Sequence, residues 1–342
     1  MPQKSFANVN GSFDAEIDIY RQQNREFAGL IYQSSELHSE NLKKLLDSRI
    51  EEILEFEKSL ALATLPESSW RNPTAHYNKM TLEEFASQSE NFFNYTAFLN
   101  ELAELYKLPY RFNSTDQVAV KDVGYYRKLS EILVQTPSLT LYNYLGYKLA
   151  WTWAKHTDQV EREFRFKYRS QRTGVKVPPL QWKTCLIAVD GWATSRLFVD
   201  RFVQKPQTKD QASEMVNDLR KVFTEVLRQK VDWLDTATKN KALEKAAKIR
   251  QYVAYPDWLL NDTALDLNKY GFTKEDFVKV KSGHYFEGQL EMVKRMSAIP
   301  LRNLHEPLKT DNDLGFSLSP STINARVTQE KNSLSKCSFL KI

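Results

Sequence analysis

The chain has 342 residues, 42% of them hydrophobic and 12% aromatic, enough for a sizeable core and roughly two domains. Its 10 glycines and 12 prolines are thinly spread and no fixed-period self-similarity is visible, which excludes collagenous, low-complexity and repeat architectures. The formal net charge of +5 is the small difference between 48 basic and 43 acidic side chains that interleave almost everywhere, the pattern of solvated helix faces rather than of a nucleic-acid stripe.

The first 35 residues are ambiguous. Leu42, Leu46, Ile50, Ile53 and Leu60 then predict an amphipathic helix over about 41–63. Glu51, Glu52, Glu55 and Glu57 read as a solvated face paired with Arg49 and Lys58, since no histidine accompanies them. The following loop holds His76, expected as a surface or loop-packing residue, and ends in Thr81-Leu-Glu-Glu84, which fits a capping box. Shorter helices are expected near 91–107 and 123–135, with the alternating DQVAVKDV between them as a strand. A helix starting near Pro137 carries LYNYLGYKLAWTW, whose aromatics read as core between two layers. The piece EREFRFKYRSQRTGVK mixes basic and aromatic residues as a single-stranded nucleic-acid site would, but Glu161 and Glu163 interrupt it and no nucleic-acid-binding motif accompanies it. No nucleic-acid partner is expected.

DGWATSRLFVDRFV predicts another helix, and 210–232 gives the clearest amphipathic pattern in the chain. There Met215, Val216, Leu219, Val222, Phe223, Val226 and Leu227 form one continuous face, expected to be buried. Asp235 is placed to cap a helix in which Ala242, Ala246, Ile249 and Val253 share a face before Pro256 forbids continuation. NKYGFTKEDF and YFEGQLEMVKRMSAI are consistent with further helix, and a short β-prone stretch, STINARVT, follows. The fold class is therefore mainly α, a multi-helix domain with a short β-prone segment near the C-terminus.

Candidate chemistry is sparse. A zinc hydrolase commonly sets two histidines at i and i+4 on one helix, with a glutamate between them to activate water. Here His38, His76, His156, His284 and His305 are never closer than 21 residues; His305-Glu306 is followed by Pro307 and by Lys309 at the second ligand position, so it reads as a loop. There is no phosphate-cradling loop, no G-x-S-x-G elbow and no Cys/His cluster, so no catalytic or metal-ligating residue is assigned and no cofactor is expected in this chain. Cys185 and Cys337 allow one bridge at most. No run approaches the roughly 18 apolar residues of a membrane span, and the first residues carry no signal-peptide pattern. Asn-X-Ser/Thr sequons at Asn10, Asn94, Asn113 and Asn261 are compatible with secretion.

One stretch is more distinctive. VDWLDTATKNKALEKAAKIRQYVAYPDW resembles the W-x-D-x-x-T, Ala/Lys helix and Y-P-D signature of the neprilysin and endothelin-converting enzyme family of zinc metalloendopeptidases. Collinear likenesses are ILEFEKSLALATLPE with YNKMTL, LYNYLGYKLAW, QWKTC and, near the end, NARVTQEKN, so the resemblance covers about 41–334. It implies a secreted or cell-surface ectopeptidase with two mostly helical domains around a chamber, cleaving short peptides with one zinc ion. By that resemblance residues 1–40 are a poorly defined segment, 41–300 the chamber-covering domain, and 301–342 the start of a catalytic domain, ending before the family's HExxH helix. The tail SKCSFLKI departs from the family's FPAGILQ, which implies a partial product, inactive by itself. The family's Asn-Ala pair, which hydrogen-bonds the substrate backbone, carries over to Asn324 and Ala325, although Arg326-Val327 replaces the aromatic pair that follows. The sheet neighbours of that strand are expected from outside this chain. The competing reading is a catalytically inactive, stand-alone paralogue that binds peptides or a protein.

Overall fold

The computed structural model describes residues 14–33, 40–72, 74–157, 159–189, 192–203, 206–265, 285–302, 304, 316, 319–322, 324–329 and 331–336. His38, His284, His305, Cys337, Asn10 and the segment NKYGFTKEDF lie outside these residues. Among those described, the protein is mainly helical with short strands, and the chain divides into two compact units, 1–178 and 179–342.

The first unit runs α1 (Asp14–Gln33), α2 (Glu40–Ala63), β1 (Asn78–Thr81), α3 (Leu82–Gln88), α4 (Tyr95–Leu105), β2 (Gln117–Val120), α5 (Val123–Gln135), α6 (Ser138–Trp153) and α7 (Gln159–Thr173). The ambiguous start thus contributes a 20-residue helix. Its Phe27 is 1% exposed and sits among rings of α6 and α7, edge-on to Tyr147 and Trp151 at 5.5 and 4.9 Å and stacked on Phe164 at 5.7 Å. Ile50, Ile53 and Leu54 of α2 complete this core with Tyr168 of α7. The aromatics of α6 are divided: Tyr147 is buried, whereas Tyr142 lies in solvent.

The glutamate face of α2 follows its solvated reading in the Arg49–Glu52 and Lys58–Glu55 pairs and departs from it at Glu57. Glu51 does face outward, paired with Arg21 and Arg25, but Glu57 is only 7% exposed. It accepts a 2.6 Å hydrogen bond from the Tyr20 hydroxyl and is ion-paired with Lys148. A buried carboxylate needs such partners because desolvation otherwise opposes its charge. Nearby, Thr140 donates to Glu52 at 2.9 Å and the Tyr147 hydroxyl to the side-chain carbonyl of Asn24.

A second, smaller core lies under the ribbon. Strands β1 and β2 pair antiparallel, Asn78 opposite Val120, and place Met80 and Val120 against Phe85 of α3. Thr81 closes the expected capping box: its Oγ1 accepts from Glu84 N at 3.1 Å, and the Glu84 carboxylate accepts from Thr81 N at 2.8 Å. His76 packs in its loop as expected, stacked on Trp70, with ring nitrogens 3.1 Å from the Lys121 carbonyl and 2.9 Å from that of Ser69.

The second unit runs α8 (Gln181–Val189), α9 (Trp192–Phe202), α10 (Pro206–Gln229), α11 (Thr236–Ala247), β3 (Arg250–Val253), α12 (Asp262–Leu265), α13 (Tyr285–Arg302), β4 (Ala325–Thr328) and β5 (Ser333–Lys336). Two expectations fail here. The helix expected to continue to Val253 ends at Ala247, and residues 250–253 form a strand instead. Ile249, Tyr252 and Val253 are β-branched or aromatic, and sheet pairing outweighs one further helical turn for such residues. The continuous apolar face of α10 is also not buried as a whole. Val216 is 6% exposed, but Leu219, Val222, Phe223 and Val226 are 63%, 57%, 50% and 43% exposed. The covered side of α10 packs on α11 and β3, with Arg220 donating to the Ile249 carbonyl at 2.8 Å, and the rest of the seam runs beyond that cover.

Candidate functional site

The candidate site is built where α11 leads into the sheet. Asp235 caps α11 as expected, its carboxylate accepting from Thr238 N at 2.9 Å and from Thr238 Oγ1 at 2.6 Å. These hydrogen bonds, the side-chain one foremost, hold the Asp235 carboxyl below its usual pKa. After α11 the chain enters β3, turns at Ala254 with a φ of 65°, and leaves through Tyr255-Pro256-Asp257. This exit is core: Val253, Ala254, Tyr255 and Leu259 are buried with Val199 of α9, Val203 just after it and Val216 of α10. Arg196 of α9 secures it by donating to the Leu259 carbonyl at 3.1 Å and to Asp262 at 3.0 Å. Lys209 lies over the Tyr255 ring and pairs with Asp257.

The strand order β3-β5-β4 places β5 in the middle, parallel to β3 and antiparallel to β4. One neighbour of β4, the strand β5, therefore comes from this chain, against the expectation that its sheet neighbours would come from outside it. Asn332 ties the three together. It takes a φ of 44° in the β4–β5 turn, its carbonyl accepts from Arg250 N at 2.9 Å, and its Nδ2 donates to the Lys245 carbonyl at 3.0 Å. Asparagine tolerates this left-handed backbone better than most residues. Ser333 and Ser335 of β5 are buried, and Leu334 packs on the core. Before β4, Ser319 is hydrogen-bonded to the buried Ser195 of α9 and to Ser321 at 2.7 Å, and Pro320 is buried.

Asn324 and Ala325 thus sit at the start of an edge strand on a fastened sheet. Both are exposed, and among the described residues the outer side of β4 has no strand partner. Edge strands present N–H and C=O groups that an extended peptide can pair with. The Asn324 Oδ1 accepts from Ala325 N at 2.8 Å, which uses the amide oxygen locally while its Nδ2 can still donate to a ligand. Arg326 and Val327, in place of an aromatic pair, are both exposed. The motif likeness pointed to the pair; the Ser195–Ser319–Ser321 contacts that precede it in the chain have no sequence signature.

No donor set for zinc is present among the described residues: no three His, Cys, Asp or Glu side chains converge. Of the described histidines, His76 is committed to its loop, and His156 has a lowered pKa, from burial first and then from the positive charges of Lys155 and Arg165. The Cys185 thiol is free and exposed. Among the described residues no helix is long and apolar enough to cross a membrane.

The sequence profile of Peptidase family M13 matches residues 1–256. The chain belongs to peptidase family M13. It corresponds to the N-terminal region of this family of neprilysin-like metalloendopeptidases. Neprilysin-1 of Trittame loki is 28% identical over 314 residues, 90% of this chain and 42% of the relative. Membrane metallo-endopeptidase-like 1 of Homo sapiens is 27% identical over 338 residues, 98% of this chain and 42% of the relative. Among solved structures, the Mycobacterium tuberculosis zinc metalloprotease Zmp1 in complex with inhibitor matches with a TM-score of 0.74 at 17% identity, over 98% of the M13 chain and 46% of that protein. PepO from Lactobacillus rhamnosis matches with a TM-score of 0.75 at 15% identity, over 98% and 48%. At these identities the structural likeness concerns the fold. The M13 chain spans under half the length of these relatives.

Proposed function

We propose that this chain acts as the non-catalytic N-terminal region of a neprilysin-like zinc metalloendopeptidase, walling the chamber of the complete enzyme and restricting the size of the peptides admitted. The match of the M13 profile to residues 1–256 carries this reading, in a chain equivalent to about two fifths of its relatives' length. In it, residues 1–40 form an N-terminal segment, 41–300 the chamber-covering domain and 301–342 the beginning of the catalytic domain. Zinc is bound by other parts of the complete enzyme, and peptides are its substrates. An extracellular or cell-surface location follows from the same reading, and the exposed sequons Asn94, Asn113 and Asn261 support it.

Within this function, Asn324 and Ala325 bind the substrate main chain. The exposed edge position of β4 supports that role, with Asn324 Nδ2 as a donor to a peptide carbonyl. The test joins this chain to the C-terminal remainder of the human relative and assays peptides of increasing length. The isolated chain should hydrolyse none, and the joined enzyme should cleave short peptides and spare long ones. Asn324→Ala should lower kcat/KM of the joined enzyme roughly tenfold, about 1.4 kcal/mol of transition-state binding. Sub-micromolar peptide binding by the isolated chain, abolished by Asn324→Ala, would instead establish a stand-alone binder.

A further inference from the structure

Helix α7 carries Arg162, Arg165, Arg169 and Arg172 at alternating steps of three and four residues, which align them on one face at intervals of about 4.5–6 Å along the axis. Of the two acidic residues that interrupt this stretch in sequence, Glu163 lies off the face and only Glu161 reaches its edge. Glu163 falls roughly 140° from its centre by helical geometry, and it accepts a hydrogen bond from Gln159. Glu161 lies at the border, beside Arg165.

The stripe is exposed at Arg162, Arg169 and Arg172 and half-buried at Arg165. Two of its members are held in place by backbone carbonyls. Arg162 donates to the Thr157 carbonyl at 2.9 Å, and Arg165 donates to the Trp151 carbonyl at 2.6 Å while lying 4.5 Å from the Trp151 ring centre. Neither contact neutralises charge, and both reduce the entropy lost on binding a ligand. Arg169 and Arg172 have no ion-pair partner among the described residues. Exposed Lys155 before the helix and exposed Lys176 after it extend the positive character at both ends.

We propose that this arginine face of α7 is a docking surface for a sulfated polysaccharide. Guanidinium forks match the oxygens of carboxylate and tetrahedral oxyanions, and a stiff polyanion with regularly repeated charges can follow a straight row of them with little further loss of freedom. Single-stranded nucleic acid fits less well because it needs aromatic platforms beside the charges. Of the aromatics nearest in sequence, Phe164 and Tyr168 are 8% and 2% exposed and belong to the core, and Phe166 between them is half-buried. A flexible acidic peptide would lose far more chain entropy on aligning with the row.

Calorimetry with a heparin octasaccharide on the full chain tests the proposal. Binding is expected in low salt and should weaken at least tenfold between about 50 and 200 mM salt, as counterion release requires. The double variant Arg169→Glu/Arg172→Glu, checked for an unchanged circular dichroism spectrum, should bind at least tenfold more weakly. Lys241→Glu/Lys245→Glu, an equal charge change on exposed positions of α11, should alter affinity less than about twofold. Equal losses in both variants would reduce the effect to net charge and overturn the proposal. So would no heparin binding in low salt, or binding of single-stranded DNA or polyglutamate at least as tight as that of heparin.

Discussion

Helices α2 and α10 are both 24 residues long and both amphipathic, yet they resolve their patterns in opposite ways. On α2 the apolar stripe is covered by α1 and α6, and burial extends to a charged residue, Glu57. Among the described side chains of α10 only Val216 is well buried, and four further apolar residues of the same face remain at 43–63% exposure. Periodicity states which face of a helix gains from cover, through the apolar area it could remove from water. It does not state whether the chain supplies that cover. In α2 the supply comes from α1, a helix the composition of the first residues did not announce, and its Phe27 is the side chain that joins α1 to the α6 and α7 rings.

The contrast predicts unequal responses to truncation, largest in the first unit. Phe27→Ala removes a ring that is 1% exposed and touches three others, and should cost about 3–5 kcal/mol. Denaturant midpoints of variant and parent measure it. A loss under 1 kcal/mol would mean that α1 is not docked on the core, and the difference between the two helices would vanish.

The buried charge on α2 gives the next effect. Tyr20→Phe deprives Glu57 of a donor while Lys148 remains, so it should destabilise by about 1–3 kcal/mol at neutral pH. It should also change the alkaline limb. Burial first, then the charge of Glu57, raises the pKa of both Tyr20 and Tyr147 above the ordinary phenol value. Unfolded tyrosines lose their protons near pH 10 while these two keep theirs, so the unfolded chain binds fewer protons and stability falls as pH rises beyond about 10. Each retained proton contributes about 1.4 kcal/mol per pH unit. Removing the Tyr20 hydroxyl should flatten the slope by one such contribution. Stability measured from pH 8 to 11 with an unchanged slope would show that Tyr20 titrates normally, and so that Glu57 lies in a wet environment.

What was legible in the sequence follows the same division. Local signals held: the Thr81/Glu84 box, the Asp235 cap, the strand at Gln117–Val120 and the helix at Val123–Gln135 each depend on neighbours within a few residues. The family likeness held over most of the chain because it rests on many collinear motifs. Features that depend on distant partners were not legible. Residues 250–253 became a strand because β5, some 80 residues later, pairs with them, although Ile249, Tyr252 and Val253 signalled β preference. Glu57 is buried because Tyr20 and Lys148, 37 residues before and 91 after it, meet its carboxylate. At the candidate site, the motif pointed to Asn324 and Ala325, whereas their position on an edge strand required the order of three strands drawn from two parts of the chain.

The smallest expected effect is the sharpest test of the contrast. Phe223 lies in the middle of the α10 face, and its sequence pattern alone would assign Phe223→Ala the cost of a buried ring, about 3–5 kcal/mol. At 50% exposure it gives up far less apolar contact, and alanine is the better helix former, which offsets part of what is lost. The variant should therefore shift stability by about 0.5 kcal/mol or less. A denaturation midpoint equal to that of the parent fits an α10 seam that this chain leaves open. A loss above about 2 kcal/mol would show the seam to be covered in solution, and repeating the measurement across a range of protein concentrations separates the two sources of cover. A cost that grows with concentration means a second copy, since association stabilises by mass action; a cost that does not change means a segment of the same chain.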